Sequence, residues 1–424
     1  METVGGEKEI LPIWHDIFRS EVAQYLPILT VRRRSSHWVG SIARVPRCCR
    51  SGSRFRVDLE RNATGGFGIC AQIFESIELA LMFKLEEMGY AFDEVDRIWA
   101  RPGFAGIDYN DGESSELHLA DIVKQAGDVG VFSCELRSKC TDWVTLYHLS
   151  PHRGNVLRPF ENLLKGKVLE ICAGCGAITR YLGEAGGRIL ALEGSPRRAA
   201  IAASRTRGLP NVTVLAERFD DLRCSETFDA ITLIGVLEYA GVFGDGHTPA
   251  LNMLKKARSM LRPNGRLFTA IENQLGLKYF AGAQEDHIGE PMYGIEGRYR
   301  NGQPRTYGRR ALAELIAAAG FASSEFLAPF PDYKLPSSVL TEHGCAASDF
   351  DAAAFAWQSL KADPQQLRPL KFRHHADLAD GLRKRSGTGA VQFLYTGRFA
   401  DKATGRGRAS AGISLQYWTK SPVL

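Results

Sequence analysis

The architecture of this chain is clearest in Val168-Leu-Glu-Ile-Cys-Ala-Gly174-Cys-Gly176-Ala-Ile-Thr179. Its first four residues include the aliphatic and β-branched types that favour a buried strand. Gly174 and Gly176 allow a tight turn and let a ligand approach the backbone where a side chain would obstruct it. A helical pattern follows, so the stretch predicts a strand, a glycine turn and a helix beside a ligand.

The same alternation of strand and helix continues along the chain. Helical patterns at 178–185, 196–207 and 251–261 separate short apolar runs, and such βα units predict a mostly parallel sheet covered by helices on both faces. The strand candidates are 168–171, 188–192, 212–215, 230–234 and 267–271. We therefore expect an α/β fold of the Rossmann-like, doubly wound type at 151–340. An N-terminal accessory region of mixed or helical type (1–150) and a basic C-terminal accessory region (341–424) are expected to flank it.

Two acidic residues indicate the cofactor. Glu170 lies four residues before Gly174, and Glu193 ends the second strand candidate, where a carboxylate accepts hydrogen bonds from ribose hydroxyls. A dinucleotide fingerprint would place a third glycine at the position of Thr179. Because a threonine stands there instead, and because Glu170 suits a positively charged ligand, the sequence favours S-adenosylmethionine as the cofactor. A dinucleotide is the alternative.

These motifs resemble those of class I S-adenosylmethionine-dependent methyltransferases. The resemblance extends over about 165–275 through Ala191-Leu-Glu-Gly-Ser-Pro-Arg198, Phe228-Asp-Ala-Ile-Thr-Leu-Ile-Gly-Val-Leu-Glu-Tyr239 and Leu261-Arg-Pro-Asn-Gly-Arg-Leu267. It implies that Gly174 and Gly176 line the methionine portion of the cofactor, that Glu193 holds the ribose, and that Glu217 to Phe219 flank the adenine. The remaining cofactor-binding residues that it implies are Cys175, Gly194, Ser195 and Gly235.

A narrower resemblance points to the acceptor. Tyr147-His-Leu-Ser-Pro-His152, Ala270-Ile-Glu-Asn-Gln-Leu-Gly-Leu-Lys-Tyr-Phe-Ala-Gly282 and Pro329-Phe-Pro-Asp-Tyr-Lys-Leu-Pro336 are similar to stretches of bacterial methyltransferases that accompany glycosyltransferases of surface-polysaccharide synthesis. This resemblance implies a saccharide or other small polar acceptor, with glycosyltransferases as partners.

The catalytic side chains are expected after strand candidates four and five, because ligands lie beyond the carboxyl ends of parallel strands. We predict His287 as the base for a hydroxyl acceptor, oriented by Asp286 or Glu285, with Glu238 and Tyr239 beside it. The candidates for stacking on a sugar face are Tyr279, Phe280 and Tyr293. No metal site is predicted: Cys172 and Cys175 are interpreted as small loop-filling residues, and His374-His375 as a solvated pair.

Composition and charge exclude several other classes. The 424 residues are 44% hydrophobic and 24% charged, which is typical of globular chains and excludes wholesale disorder. No apolar run is long enough to cross a bilayer, no export signal begins the chain, and the nine cysteines indicate reduced thiols, so we expect a cytoplasmic protein.

The net charge of +5 is concentrated in basic segments at 32–61 and 361–424. They leave open an RNA methyltransferase or contact with an anionic membrane. Against a nucleic-acid substrate, Ile234-Gly-Val-Leu-Glu-Tyr239 replaces the Asn/Asp-Pro-Pro-Tyr of amino-methylating nucleic-acid enzymes, and the chain has no Pro-Cys dipeptide. A cofactor-binding scaffold for glycosyltransferases is the third hypothesis.

Overall fold

A single mixed sheet of ten strands organises the part of the chain that the structure describes. The computed structural model describes residues 83–365, apart from 108, 110, 245, 281 and 362, and the backbone of a strand at 393–398. The basic segment 32–61, the pair at 374–375 and most of the basic region 361–424 lie outside the described residues. The strands are β1 (Ala91–Asp93), β2 (Ile98–Ala100), β3 (Lys167–Ile171), β4 (Arg188–Glu193), β5 (Val212–Ala216), β6 (Phe228–Ile234), β7 (Leu261–Ile271), β8 (Ser323–Phe330), β9 (Ser338–Thr341) and β10 (Phe393–Arg398).

Helices and short 3-10 segments connect these strands. The α-helices are α1 (Glu113–Gln125), α2 (Cys134–Arg137), α3 (Trp143–Leu149), α4 (Ala177–Glu184), α5 (Pro196–Arg205), α6 (Ala240–Phe243), α7 (Pro249–Ser259), α8 (Leu277–Phe280), α9 (Arg309–Ala318), α10 (Glu342–Ala346) and α11 (Ala352–Leu360). Two 3-10 helices, Pro151–Val156 and Arg158–Leu163, lead into β3, and two more lie at Glu86–Met88 and Leu237–Tyr239.

The five strands predicted from the sequence form the parallel centre of the sheet. They lie in the spatial order β5-β4-β3-β6-β7. Leu169 and Ile171 pack in one buried apolar cluster and Val168 packs in a second, because successive side chains of a strand point to opposite faces. The Rossmann-like fold class is thus confirmed. The order reverses direction at β3, so the ends of β3 and β6 form the crevice in which such sheets bind ligands.

Both flanking regions also supply strands to this sheet. β2 pairs in parallel with β5, and β1 pairs with β2. At the other edge β10 runs antiparallel between β7 and β8, and β8 pairs with β9. The division at 150 and 340 stays a prediction, since strands from all three expected regions share one sheet.

The described residues also bear on the membrane question. Within them, no helix combines the length and the apolar character that a bilayer span requires.

Candidate functional site

The glycine turn after β3 has the geometry that its sequence predicts. Gly174 has a φ of +58° and Gly176 a φ of +82°, a region that glycine occupies without strain. The Gly174 N–H donates to Glu193 Oε2 at 2.7 Å, so the turn is tied to the end of β4. A Cβ on Gly176 would lie 2.7 Å from the Cα of Ala202, which shows that this glycine lets α4 pack closely on α5.

Two cavities open at the carboxyl ends of the parallel strands. The larger has a volume of about 300 Å³ and is lined by nine of the residues singled out in the sequence, namely Glu170, Gly174, Cys175, Glu193, Gly235, Glu238, Tyr239, Asp286 and His287. The smaller, of about 50 Å³, is lined by Gly194, Glu217 and Phe219, and shares Tyr239 with the larger. Burial raises the pKa of the Cys175 thiol to about 12, as expected for a loop-filling side chain.

Four further predicted residues do not belong to the lining of the two cavities. Ser195 is the N-cap of α5, and its N–H donates to Glu193 Oε1 at 3.0 Å. Tyr279 bonds to Asp286, Phe280 is 46% exposed, and the buried Tyr293 donates to Gln303 at 3.0 Å. None of these four lines either cavity. For Tyr279, Phe280 and Tyr293, stacking on a sugar therefore remains only a sequence prediction.

Glu170 is a buried acidic residue in the wall of the larger cavity. It is 4% exposed, and its Oε2 has no hydrogen-bond partner among the described residues. Burial raises the pKa of its carboxyl to about 8. A positively charged ligand would compensate the desolvated carboxylate, and the ammonium and sulfonium of S-adenosylmethionine provide such charge.

Glu193 and Glu217 suit the remainder of the same cofactor. Both carboxylate oxygens of Glu193 accept backbone N–H groups, which fixes the carboxylate against the cavity while its other lone pairs can accept from ribose hydroxyls. Glu217 is fully buried, where its carboxylate pairs with Arg101 and accepts the Arg218 N–H at 2.8 Å. It lines the smaller cavity together with Phe219, and the resemblance assigns these two residues to the adenine.

A family comparison agrees with this geometry. Residues 169–267 match a family model described as a methyltransferase domain. The match runs from β3 through the glycine turn to β7. The chain carries a class I S-adenosylmethionine-dependent methyltransferase domain. No curated protein matches the chain.

Solved methyltransferase structures resemble this one only partly. A possible histamine N-methyltransferase from Thermotoga maritima is 16% identical, with a TM-score of 0.34 over 66% of this chain and 99% of that one. A phosphoethanolamine N-methyltransferase from Haemonchus contortus, solved with S-adenosylmethionine, is 11% identical, with a TM-score of 0.34 over 64% and 61%. An amino pentose methyltransferase from Micromonospora echinaspora is 19% identical, with a TM-score of 0.24 over 28% and 50%. Because these TM-scores are all below 0.5, the fold is assigned from the strand order of the sheet and not from these structures.

In the wall of the larger cavity, His287 lies among several acidic side chains. Its Nε2 is 3.4 Å from Glu272 Oε2, its Nδ1 is 3.1 Å from the Tyr239 hydroxyl, and its backbone N–H donates to Glu285 at 2.8 Å. Burial by itself would lower the pKa of the imidazole, but Glu272, followed by Glu238 and Glu285, raises it to about 9. His287 therefore carries a proton at neutral pH and cannot accept another in this state. The carboxylate that reaches its ring is Glu272, not Asp286 or Glu285.

Glu238 and Glu272 are two buried carboxyls whose pKa values are shifted in opposite directions. Burial, and then the charge of Glu272, raises the pKa of Glu238 to about 8. Glu238 Oε2 has no hydrogen-bond partner among the described residues. Burial opposes ionisation of Glu272 as well, but Lys334 and His287 hold its pKa well below the usual range. Such a split suits one carboxyl to proton transfer and the other to a fixed negative charge.

Two lysines balance the acidic side of this wall. Lys334 forms an ion pair with Glu272 and lies 2.9 Å from Asp286, which also accepts from Lys278 at 2.9 Å. The Tyr279 hydroxyl donates to the same carboxylate at 2.5 Å. Asp286 thus binds both lysines and forms no hydrogen bond or ion pair with the ring of His287. The prediction that Asp286 orients His287 is therefore wrong, and Glu272 occupies that position.

One triad in this wall has the spacing of a metal site. Glu238, Glu272 and His287 each offer a ligand atom, and these atoms lie within 4.8 Å of one another. Lys334 and the protonated imidazole already neutralise Glu272, so the cluster is charge-balanced by the protein itself. This arrangement favours proton transfer over metal binding.

The sequence analysis assigned no role to several cavity residues. His148 and Asp111 line the cavity 2.9 Å apart, and burial lowers the pKa of the histidine. Arg153, Tyr333 and Lys334 line it as well. Apart from Asp111 and Arg153, these residues belong to stretches that were quoted only for their resemblance to other methyltransferases. The available signal was the clustering of aromatic and charged residues in those stretches.

Proposed function

We propose that this methyltransferase transfers a methyl group to a hydroxyl or amine of a saccharide or related small polar acceptor. The observation that carries this proposal is Glu238, a buried carboxyl with a pKa near neutrality in the same cavity as Glu170 and the glycine turn. A hydroxyl must lose a proton as it attacks, and a group with a pKa near the working pH is suited to accept it.

S-adenosylmethionine, when bound, supplies an electrophilic methyl group and leaves as a neutral thioether. The residues of this chain hold the acceptor and manage its proton. Glu238, once ionised, accepts the proton of the acceptor hydroxyl through its unpartnered Oε2. His287 remains protonated and neutralises Glu272, while Tyr239 is held between His287 at 3.1 Å and Tyr109 at 3.3 Å. Much of the rate enhancement would come from holding the acceptor in line with the methyl group.

A polar and aromatic wall supports a saccharide-like acceptor. Tyr147, Tyr239 and Trp143 line the larger cavity together with Asp286 and Lys334. Aromatic faces and hydrogen-bonding groups in one cavity suit a molecule with both apolar faces and hydroxyls. Partnership with glycosyltransferases and a cytoplasmic location are parts of the proposal that rest on sequence alone. The RNA and membrane hypotheses rest on basic segments that lie mainly outside the described residues.

The test combines acceptor discovery with a matched variant. Wild type is supplied with a methyl-labelled cofactor and a nucleotide-sugar and polysaccharide extract, and we expect label in carbohydrate. Glu238→Gln keeps the shape of the side chain but cannot accept the proton, so kcat should fall by about 10²–10⁴ for a hydroxyl acceptor.

Cofactor affinity is the internal control, and we expect Glu238→Gln to change it by less than about threefold. Full turnover by this variant with an unchanged pH profile would remove Glu238 as the proton acceptor. Label entering RNA and not carbohydrate would overturn the acceptor class. Loss of activity on adding a chelator would show that a metal ion assists the reaction, and would contradict the proposed role of Glu238 as proton acceptor.

A further inference from the structure

Trp143 is a large aromatic side chain that lines the larger cavity and stays open to solvent. It is 37% exposed. The other exposed large apolar side chains of the described residues, such as Phe132 and Phe280, line neither cavity. Apolar surface in water has a free-energy cost, and an apolar side chain exposed in a cavity wall gains when a ligand covers it. Trp143 therefore has the exposure of a binding residue and not of a core residue.

Trp143 and Tyr147 form one surface, which we call the aromatic strip. Both belong to α3, and residues four positions apart lie on the same face of a helix. Their ring centres are 6.0 Å apart, and their planes differ by 43°. Both side chains line the larger cavity, and Tyr147 is the less exposed of the two. The strip thus runs from the interior of the cavity toward its opening.

Hydrogen bonds fix the aromatic strip at both ends. α3 begins with a capping box, in which the Thr145 N–H donates to Asp142 Oδ1 at 2.8 Å and the Asp142 N–H donates to Thr145 Oγ1 at 3.1 Å. At the other end, Arg153 Nη2 donates to the Tyr147 hydroxyl at 2.6 Å, and the guanidinium lies 4.3 Å from the centre of that ring. A surface that is ordered before binding loses little conformational entropy when a ligand covers it.

Arg153 also connects the strip to the wall that contains Glu238. Its Nη1 donates to the carbonyl of Lys334 at 3.1 Å. The residue before Lys334 is Tyr333, whose hydroxyl lies 3.5 Å from Glu238 Oε1. The strip therefore adjoins the place where the acceptor is expected to lose its proton, with Tyr147 nearer to that place and Trp143 one helical turn away from Tyr147.

The chemistry of the strip suits a neutral sugar ring. An aromatic face covers the apolar C–H face of a pyranose, while the sugar hydroxyls remain at the edge of the ring. Gln365 also lines the larger cavity and is exposed, and its amide can both donate to and accept from a hydroxyl. Neither the two rings nor the amide carries a charge, so these side chains favour a neutral polyol over an ion.

We propose that Trp143 stacks on the sugar unit adjacent to the one that is methylated, so that the acceptor is an oligosaccharide and not a single sugar. The inference rests on the proposed saccharide acceptor and adds a second binding subsite to it. The 6.0 Å between the two ring centres is comparable with the spacing of successive sugar rings in a chain. One unit then lies against Tyr147 and Glu238, while the next lies on Trp143.

The test separates the carbohydrate acceptors by size. The full chain is supplied with methyl-labelled S-adenosylmethionine and dilute fractions of one extract, the first containing single sugars and nucleotide sugars and the second containing short oligosaccharides. Trp143→Ala should lower the initial rate of oligosaccharide labelling by about tenfold and leave any labelling of the first fraction within about threefold. The loss should disappear at saturating oligosaccharide, because stacking away from the reacting group stabilises the ground state and the transition state equally. Trp143→Phe keeps an aromatic face and should restore most of the rate.

Phe132→Ala is the matched control, since Phe132 is 66% exposed and lines neither cavity. We expect it to leave both rates unchanged, and calorimetry should give the same Kd for S-adenosylmethionine in every variant. Unchanged oligosaccharide labelling by Trp143→Ala, or an equal loss in both fractions, would overturn the second subsite. So would labelling of single sugars alone by wild type. Absence of label from every carbohydrate fraction would instead overturn the proposed function, on which this inference depends.

Discussion

Glu170 illustrates how far a single position follows from local sequence. Its place at the end of a strand, four residues before Gly174, predicts a carboxylate beside the ligand, and the structure puts it in the wall of the larger cavity. Its protonation state depends on burial, which no local pattern reveals. In the free protein its raised pKa leaves the carboxyl mostly protonated at neutral pH.

Cofactor binding should therefore release a proton from Glu170. The carboxyl has a pKa of about 8 in the free protein, and the bound ammonium and sulfonium lower it, so ionisation accompanies binding. We expect release of about one proton at pH 7, and an affinity that rises with pH between about 6 and 8. Calorimetry in phosphate and Tris buffers, whose ionisation enthalpies differ, measures the release. Glu170→Gln should release none; equal release by this variant would contradict the assignment.

The contact between α4 and α5 is the main feature at the scale of elements. Gly176 is the N-cap of α4, and its missing side chain lets the helix approach Ala202 of α5. The glycine turn therefore has two structural tasks: Gly174 shapes the ligand-facing backbone, while Gly176 sets the distance between two helices. The resemblance to methyltransferases implied a ligand-lining role for both, and the structure places only Gly174 in the cavity wall.

Alanine at Gly176 should cost more stability than alanine at Gly186. Both glycines have positive φ, +82° and +93°, so both substitutions carry the backbone strain of about 1–2 kcal/mol. A Cβ at Gly186 meets no atom within 4 Å, whereas one at Gly176 meets the backbone of Ala202. We expect a further loss of about 1–3 kcal/mol for Gly176→Ala, measured by urea unfolding. Equal losses for the two variants would show that backbone strain alone matters.

At the scale of the whole molecule, the sheet joins segments that are far apart in sequence. β10, at 393–398, lies between β7 and β8 and pairs with both. The region expected to be a C-terminal accessory thus completes the sheet that carries the active site. The sequence analysis missed this strand because its partners lie more than sixty residues away.

A chain that ends at Gln392 should be markedly less stable than one that ends at Arg398. Only the shorter chain loses β10, which leaves β7 and β8 with unpaired edges. We expect a fall in Tm of about 10 °C or more between the two truncations, equivalent to several kcal/mol. Thermal scans give the difference, and amide exchange in β8 locates it. Equal protection of β8 in both chains would contradict a pairing role for β10.

The sequence by itself determined the parallel core, from β3 to β7, and the cofactor. Both follow from local signals: apolar runs of strand length, glycines in a turn, and acids at strand ends. The tertiary structure alone decided the protonation states of the residues around His287 in the larger cavity. His287 was predicted as a base, but the negative charge of Glu272 stabilises its protonated form. Lys334, in a loop about sixty residues away, in turn stabilises the ionised form of Glu272. Charge and desolvation act through space, so the protonation of a buried group depends on neighbours that only the folded chain brings together.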